Sequence, residues 1–166
     1  MIFLVFSDSH FNTTEMEILI KKIPHNRIIF LGDMQKDIEH IQRTFPNESI
    51  CSVLGNNDYA FNQAEYEKTL FYENIKILCC HGHKYRVKIT LDNLYYISKK
   101  NNINLAFFGH THKSVAIEKD GVLLINPGSI GYRNEFAVVE INEGNIVYKL
   151  CRYDKNSDII HNNEHN

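Results

Sequence analysis

The sequence predicts an α/β fold in which two packed, mixed β-sheets are flanked by helices, and three observations support this prediction. Short, near-continuous apolar runs punctuate the chain, which is typical of strands covered on both faces. In the first half, helix-like stretches alternate with these runs, as in parallel βαβ units. In the second half, the runs follow one another through short turns, as in hairpins.

The predicted strands are runs rich in β-branched and aromatic residues that are too short for ordinary helices. They comprise residues 2–6, 27–31, 50–54, 75–80, 105–108, 122–125, 136–141 and 146–151, with two further hairpin strands at 68–72 and 115–118. Three hairpins are predicted where short polar connections join neighbouring runs. The clearest connection contains Asp120-Gly121, because Asp-Gly favours the tight turns of antiparallel strands.

Three stretches carry apolar residues at helical spacing and are predicted to be helices. Residues 13–23 open with a Thr-Thr-Glu segment, in which hydroxyl and acidic groups suit the first turn. Residues 36–45 repeat the pattern on a smaller scale. Residues 91–100 end in two lysines, which suit a helix C-terminus.

Composition and charge are those of a soluble globular domain: 43% of residues are hydrophobic, 23% are charged and the formal net charge is -2. This charge gives no global argument for binding nucleic acid or an anionic membrane. The apolar start of the chain has no basic n-region and is too short for a membrane span. We therefore expect one cytoplasmic domain at residues 1–153 with no membrane association, followed by a polar, disordered tail at 154–166.

Cysteine usage gives no sign of a disulfide framework. The four cysteines have no C-x-x-C spacing and lie in or beside apolar runs, so we expect buried, reduced thiols rather than a structural zinc site. The nine histidines are the compositional oddity, and their positions are informative.

Polar side chains able to bind metals follow the ends of six predicted strands. In an open α/β sheet, ligands bind outside the carboxyl ends of the strands, so one edge would collect all six segments. Glycines precede or separate several of these side chains, as expected where the chain turns sharply beside an ion. The segments are 7–10, 32–33, 55–58, 81–83, 109–112 and 126–129.

Each of these segments alone has an ordinary explanation. Asp8 could cap a helix, and residues 56–58 could form a simple turn. The two His-x-His segments at 81–83 and 110–112 are more informative, because alternate side chains of an extended chain lie on one side. The whole set exceeds what turns require and predicts a metal site.

The ordered pattern D-x-H, G-D, G-N-x-D, H-G-H and G-H-x-H resembles that of the calcineurin-like metallophosphoesterases. The resemblance spans roughly residues 1–151, and the chain length and the Asn-Pro-Gly-Ser segment at 126–129 resemble the small bacterial and archaeal phosphodiesterase branch. It implies a four-layer sandwich of two mixed β-sheets flanked by helices. The motifs are Asp8/His10, Gly32-Asp33, Gly55–Asp58, His81–His83 and Gly109–His112.

The resemblance implies a site for two divalent metal ions. A carboxylate suits the bridging position because it can span two cations ~3.5–4 Å apart. Nitrogen and oxygen ligands without cysteine favour transition metals, manganese first, with iron, zinc, cobalt or nickel as alternatives. The implied ligands are Asp8, His10 and His112 for one ion, Asn56, His81 and His110 for the other, and Asp33 as the bridge.

The same resemblance implies a hydrolase of phosphoesters, in particular a phosphodiesterase that uses a metal-bridging hydroxide as its nucleophile. Two carboxylates against two divalent ions leave the site net positive, which favours phosphate binding and lowers the pKa of bound water toward ~7. Asp33 and Asn56 are therefore predicted to be catalytic as well as metal ligands. The expected partner is a small phosphoester; nucleic acid would bind only as a substrate, and self-association is an open expectation.

One position departs from the superfamily pattern. Many members have a histidine, linked to leaving-group protonation, where this chain has Asn57, and an amide cannot act as a general acid at neutral pH. The small phosphodiesterase branch also commonly lacks that histidine. We predict His83 as a candidate acid, Asn57, His83 and Arg133 as candidate substrate contacts, and Asp58 as structural. A backbone hydrogen bond to His83 and a solvated Arg133 are the alternatives.

Other functions are weighed against this one. A eukaryotic trafficking subunit of the same fold is a scaffold with a degraded site, so a non-catalytic interaction module is the main alternative. All seven ligand positions here carry metal-competent side chains, which favours the enzyme. A binuclear amide hydrolase lacks support, because the sequence has neither His-Glu-x-x-His nor a serine nucleophile elbow.

Overall fold

Eleven strands and four α-helices are present in the computed structural model, which describes residues 1–58 and 65–156 and, as backbone only, residues 158–165. The elements in chain order are β1 Ile2–Phe6, α1 Thr14–Lys22, β2 Arg27–Phe30, α2 Gln35–Thr44, β3 Ile50–Ser52, β4 Glu67–Tyr72, β5 Ile75–Cys80, a 3-10 helix His83–Tyr85, α3 Asp92–Lys100, β6 Leu105–Phe107, β7 Ser114–Lys119, β8 Val122–Pro127, α4 Ile130–Arg133, β9 Glu135–Asn142, β10 Asn145–Asp154 and β11 Asp158–His165.

Both sheets are mixed, as the sequence predicts. The first sheet has the order β11-β10-β9-β1-β2-β3, in which β1, β2 and β3 are parallel and β9 runs antiparallel to β1. The second sheet has the order β4-β5-β6-β8-β7, in which β5, β6 and β8 are parallel. The two hairpin strands β4 and β7 form its antiparallel edges.

The alternation of side chains along each strand explains why these runs are apolar throughout. In β1, Phe3 and Val5 lie between the two sheets, whereas Leu4 and Phe6 face the outer helices. Successive side chains of a strand point to opposite faces, so a strand covered on both sides must be apolar at every position. The apolar runs are therefore confirmed as strands, and they are continuous because each strand is covered on both faces.

Helices cover the outer face of each sheet and complete the four layers predicted. Met16 and Leu19 of α1 and Ile38 of α2 pack on the first sheet. Leu94 of α3 packs on the second sheet. The longest of these helices has ten residues, and the described part of the chain holds no helix long and apolar enough to cross a membrane. All four cysteines are buried, as expected.

The C-terminal segment departs from the disordered tail predicted at 154–166. The structure continues β10 to Asp154 and returns as β11, with Arg152 paired to Ile160 in antiparallel register. Backbone pairing explains the difference, because β10 would otherwise present unpaired N–H and C=O groups at the edge of the sheet, and those groups pair with any sequence. Residues 157 and 166 of the predicted tail lie outside the described residues.

Candidate metal centre

The loops that follow six parallel strands meet at one edge of the sandwich, where the sequence predicts the site. β1, β2 and β3 reach this edge from the first sheet, and β5, β6 and β8 reach it from the second. A continuous set of short contacts joins all seven predicted metal ligands, namely Asp8, His10, Asp33, Asn56, His81, His110 and His112.

One group of ligand atoms gathers around Asp8. Its Oδ1 lies 3.1 Å from Nε2 of His112. Nε2 of His10 lies 3.5 Å from Nε2 of His112. These three residues offer ligand atoms that all lie within 4.8 Å of one another, so they could hold one ion.

A second group gathers around His81, which is fully buried. Its Nε2 lies 3.1 Å from Oδ1 of Asn56 and 3.2 Å from Nδ1 of His110. The same Nε2 lies 3.6 Å from Oδ2 of Asp33 and 3.9 Å from Oδ1 of Asp8. The ligand atoms of Asp8, Asp33 and His81 also lie within 4.8 Å of one another, which places Asp33 beside both groups.

These separations fit the geometry of ions held by nitrogen and oxygen. Ligand atoms each ~2.1 Å from one ion lie roughly 3–4 Å apart, as these atoms do. The chemistry of Asp8 supports the same conclusion. Its buried Oδ1 accepts no hydrogen bond from any described residue, the nearby His112 nitrogen lacking hydrogen-bond geometry. Burial of an acceptor without a donor is costly, and an ion would remove that cost.

The orientation of His81 is set by the backbone of β2. Nδ1 of His81 lies 2.7 Å from the carbonyl oxygen of Leu31, a distance at which the ring N–H donates to the carbonyl. In its neutral form the ring would therefore carry its lone pair on Nε2, the atom that faces Asn56, His110 and Asp33. A hydrogen bond from the remote nitrogen is the usual device that orients a metal-binding histidine.

Local electrostatics keep the metal-free site ready to accept cations. Burial alone would raise the pKa of Asp8, but the adjacent His112 ring, 3.1 Å from Oδ1, and the charge of His81 outweigh it and hold the pKa below its ordinary value. Burial, followed by the charges of His81 and Lys88, lowers the pKa of His110 to about 4. Asp8 is therefore charged and His110 neutral at neutral pH, which are the forms that bind metal.

The backbone of the site differs from the extended chain that the His-x-His argument assumes. Left-handed conformations occur at Asp8, His10, Asp33, His110 and His112, with φ between 45° and 68°. The predicted reason for pairing the histidines is therefore wrong. His110 turns toward His81 and His112 turns toward Asp8, so that the pair serves both groups. Such backbone strain in non-glycine residues clusters at functional sites.

Asp33 is held by two residues that follow β3. The backbone N–H and side-chain amide of Asn57 donate to its two carboxylate oxygens at 2.9 and 2.7 Å. The buried carboxylate of Asp58 accepts from the N–H groups of Asp33, Met34, Gln35 and Gly55 at 2.7–2.9 Å. Asp58 thus stabilises the start of α2 and the loop before Asn56, which agrees with its predicted structural role.

Gly55 is required by close approach rather than by its own φ. A Cβ at this position would lie 2.0 Å from Oδ1 of Asp33 and 2.4 Å from its backbone nitrogen. No side chain can be accommodated at such distances without moving Asp33. The glycine of the G-N-x-D motif therefore allows the β2 and β3 loops to meet.

The predicted substrate contacts are placed in three different ways. The side-chain amide of Asn57 is committed to Asp33. The ring of His83 lies 5.5 Å from that of His81 and 6.1 Å from that of His110, so it borders the second group. Its buried Nδ1 has no hydrogen-bond partner among the described residues. Arg133 is exposed at the end of α4, and no described contact joins it to the site.

Several residues contact the candidate ligands in ways that the sequence did not predict. The hydroxyl of Ser7 donates to Oδ2 of Asp8 at 2.5 Å. The hydroxyl of Ser129 donates to the Asp8 carbonyl oxygen at 2.8 Å. The ring of Tyr132 contacts His10 and His112. Ser129 belongs to a segment singled out by its position after β8, but nothing in the sequence ties Tyr132 to the histidines.

The match to a protein family agrees with this geometry. The model of the calcineurin-like phosphoesterase superfamily domain matches residues 1–144. The chain belongs to this superfamily. A relative from Bacillus subtilis, the probable metallophosphoesterase YsnB, is 33% identical over 129 residues, which cover 76% of this chain and 73% of that protein.

Solved structures with the same fold include a predicted phosphoesterase, a Vps29 protein and a phosphodiesterase. A predicted phosphoesterase from Streptococcus pneumoniae has a TM-score of 0.75 at 21% identity and covers 96% of this chain and 92% of its own. Vps29 from Entamoeba histolytica, complexed with Zn²⁺, has a TM-score of 0.79 at 21% identity and covers 98% and 100%. An archaeal phosphodiesterase has a TM-score of 0.69 at 21% identity and covers 90% and 99%. At these identities the structures support the fold.

Proposed function

We propose that this chain is a two-metal phosphoesterase that hydrolyses phosphodiesters. One observation carries the proposal: the seven predicted ligands converge into two adjoining groups, with ligand atoms 3.1–3.9 Å apart and Asp33 beside both. Asp8, His10 and His112 would hold one ion, and Asn56, His81 and His110 would hold the other. Two bound cations would supply charge neutralisation for a phosphate and a lowered pKa for bound water.

The protein residues contribute orientation and charge. The Leu31 carbonyl fixes His81 in the tautomer that presents Nε2 to the centre. Asn57 holds the carboxylate of Asp33 in place through two hydrogen bonds. With only the carboxylates of Asp8 and Asp33 against two divalent ions, the loaded centre would be net positive and would attract a phosphodiester anion.

His83 is the residue best placed to give a proton to the leaving group. Its ring borders the second group. In the metal-free protein burial, followed by the charges of His81 and Lys84, lowers the pKa of His83, so proton donation would require the nearby anionic substrate to favour the protonated ring. Nδ1 of His83 is buried and has no hydrogen-bond partner among the described residues, so its hydrogen-bonding capacity is unused there. Asn57 donates to Asp33 and is proposed here as a positioning residue, and Arg133 stays a predicted substrate contact.

Manganese-dependent hydrolysis of bis-p-nitrophenyl phosphate tests the proposal. The purified protein is stripped with chelator and reloaded, and release of p-nitrophenol is followed with manganese and then with iron, zinc, cobalt and nickel. We expect activity with at least one of these metals and none in chelator. A protein that takes up no divalent metal, or is inert with every metal, would contradict the enzymatic function and favour a non-catalytic interaction module.

The variant Asp33→Asn tests the bridging position. We expect metal content and activity to fall together, because an amide loses the charge that offsets two cations. Asp92→Asn is the matched control, since Asp92 is an exposed aspartate on α3. Unchanged activity in Asp33→Asn would show that the bridging assignment is wrong.

A further inference from the structure

Two large aromatic side chains stand exposed beside the metal-site residue His10. Phe11, the next residue in the chain, is 77% exposed, and Tyr132 of α4 is 65% exposed. Single exposed apolar residues are ordinary on protein surfaces. These two differ from the others because Tyr132 contacts His10 and His112, and Phe11 directly follows His10 in the chain.

Phe11 is kept outward by a strained backbone. Its φ is 68°, a left-handed conformation that is uncommon for a bulky residue, and His10 before it has φ of 45°. The N–H of Phe11 donates to Oδ2 of Asp37 at 2.8 Å, and the hydroxyl of Ser9 donates to the same oxygen at 2.7 Å. Asp37 is buried, so a charged acceptor on α2 stabilises this conformation against its steric cost.

Tyr132 lies directly against the histidines of the first group. Its ring centroid is 4.7 Å from that of His10. It is 5.1 Å from that of His112, with the planes only 29° apart, so the two rings stack. Since about two thirds of Tyr132 is exposed, much of its surface is open to a further planar group.

The position of Tyr132 is preset by the attachment of α4 to β1. The N–H groups of Ile130 and Gly131 donate to the carbonyl oxygens of Ser7 and Asp8 at 3.1 and 3.2 Å. A Cβ at Gly131 would lie 2.2 Å from the carbonyl oxygen of Ser9, so only glycine permits this approach. The helix is therefore fixed to the loop after β1, which carries Asp8 and His10.

We propose that Phe11 and Tyr132 form an aromatic rim that stacks on the nucleobase of a nucleotide phosphoester while its phosphate occupies the metal centre. This inference rests on the proposed function and names its substrate class. The nucleobase is the planar aromatic group that biological phosphoesters commonly carry, and stacking on exposed aromatic rings is how proteins hold unpaired bases without reading their sequence. The rim lies on the His10 and His112 side of the centre.

Adenosine 5′-monophosphate and ribose 5-phosphate provide a matched pair of probes, because they share phosphate and sugar and differ in the base. Their binding to manganese-loaded protein is measured by calorimetry, which requires no turnover. We expect the nucleotide to bind on the order of tenfold more tightly, as base stacking on aromatic residues supplies. Phe11→Ala and Tyr132→Ala should each reduce this ratio, and Tyr132→Phe should preserve it.

Tyr96→Ala is the control, since Tyr96 is 64% exposed on α3 and should leave the ratio unchanged. Manganese content is measured for each variant, so that a displaced His10 or His112 is recognised. Equal binding of the two probes to the wild-type protein, or a preference that survives both alanine variants, would overturn the aromatic rim alone. Binding of neither probe to the manganese-loaded protein would instead overturn the proposed phosphoesterase site.

Discussion

Asp33 illustrates how individual residues of the centre depend on supports outside the ligand set. Its carboxylate is fixed by Asn57 and its backbone N–H by Asp58, and both supports come from the loop after β3. Partners that orient a metal ligand commonly affect metal binding nearly as much as the ligand itself. Asn57, which stands where many superfamily members have a histidine, therefore has a structural role in this chain.

Replacement of Asn57 by alanine should weaken metal binding by about 10- to 100-fold, because the side-chain bond to Asp33 is lost. Manganese affinity is measured by competition with a chelator of known strength. Asn93→Ala is the control. Asn93 is an exposed residue of α3, and its side-chain amide donates to the carbonyl oxygen of Tyr85. Equal affinity in wild-type protein and Asn57→Ala would mean that Asp33 does not depend on this bond.

The sequence predicts which side chains could bind metal but not what orients them. Histidine, aspartate and asparagine at strand ends are visible as residue types, so the seven candidate ligands could be named. The bond from His81 to Leu31 and the stacking of Tyr132 on His112 join residues far apart in the chain. Such partners are fixed by tertiary packing, and no local pattern encodes them.

The approach of the β2 and β3 loops through Gly55 gives a prediction at the scale of the element. Gly55→Ala should displace Asp33, lower the free energy of unfolding by about 1–3 kcal/mol through overpacking, and weaken metal binding. Unfolding is followed in urea, and manganese affinity is measured by chelator competition. These effects are expected because a Cβ at residue 55 would clash with Oδ1 of Asp33, from which it would lie only 2.0 Å away.

Gly121→Ala separates steric displacement from general strain. Gly121 has φ of 76°, but a Cβ there meets nothing within 4 Å. This variant should lose roughly 1–2 kcal/mol of stability from its left-handed backbone and keep its manganese affinity. Similar metal affinities for Gly55→Ala and Gly121→Ala would show that close approach at Gly55 does not position Asp33.

Element prediction succeeds where a periodic pattern exists. The three longer helices and every described strand except β11 follow from helical spacing, continuous apolar runs and hairpin turns. The 3-10 helix at His83–Tyr85 and helix α4 at Ile130–Arg133 are too short to show any periodicity. Strand β11 is polar, and it pairs through its backbone with β10, which a hydrophobic pattern cannot reveal.

At the scale of the whole molecule, the centre lies where two sheets meet, and its ionisable groups affect stability. In the metal-free protein the pKa of His110 is lowered to about 4 from the ordinary value of 6.5, chiefly by burial. Between these values the unfolded chain binds a proton that the folded protein does not, so the free energy of unfolding falls as pH drops from about 6.5 toward 4. The lowered pKa of Asp8 continues this loss at still lower pH.

Urea unfolding of metal-free protein across this pH range tests the assignment. His110→Asn removes the titrating group, so its stability should depend less steeply on pH than that of the wild-type protein. Identical pH dependence in the two proteins would show that the lowered pKa of His110 does not cause the loss of stability at low pH. Added manganese should stabilise the wild-type protein at neutral pH, because an ion that binds only the folded state shifts the equilibrium toward it.

The number of metal ions bound per chain is the most direct test of the two-metal centre proposed where the two sheets meet. Each group of ligands draws on both sheets, since Asp8 and His10 lie with His112, and Asn56 lies with His81 and His110. The metal content of manganese-loaded protein is measured per chain by elemental analysis, for the wild type and for Asp33→Asn. Two ions per chain are expected in the wild type and fewer in Asp33→Asn. One ion or none in the wild type, or two ions in both proteins, would contradict this expectation.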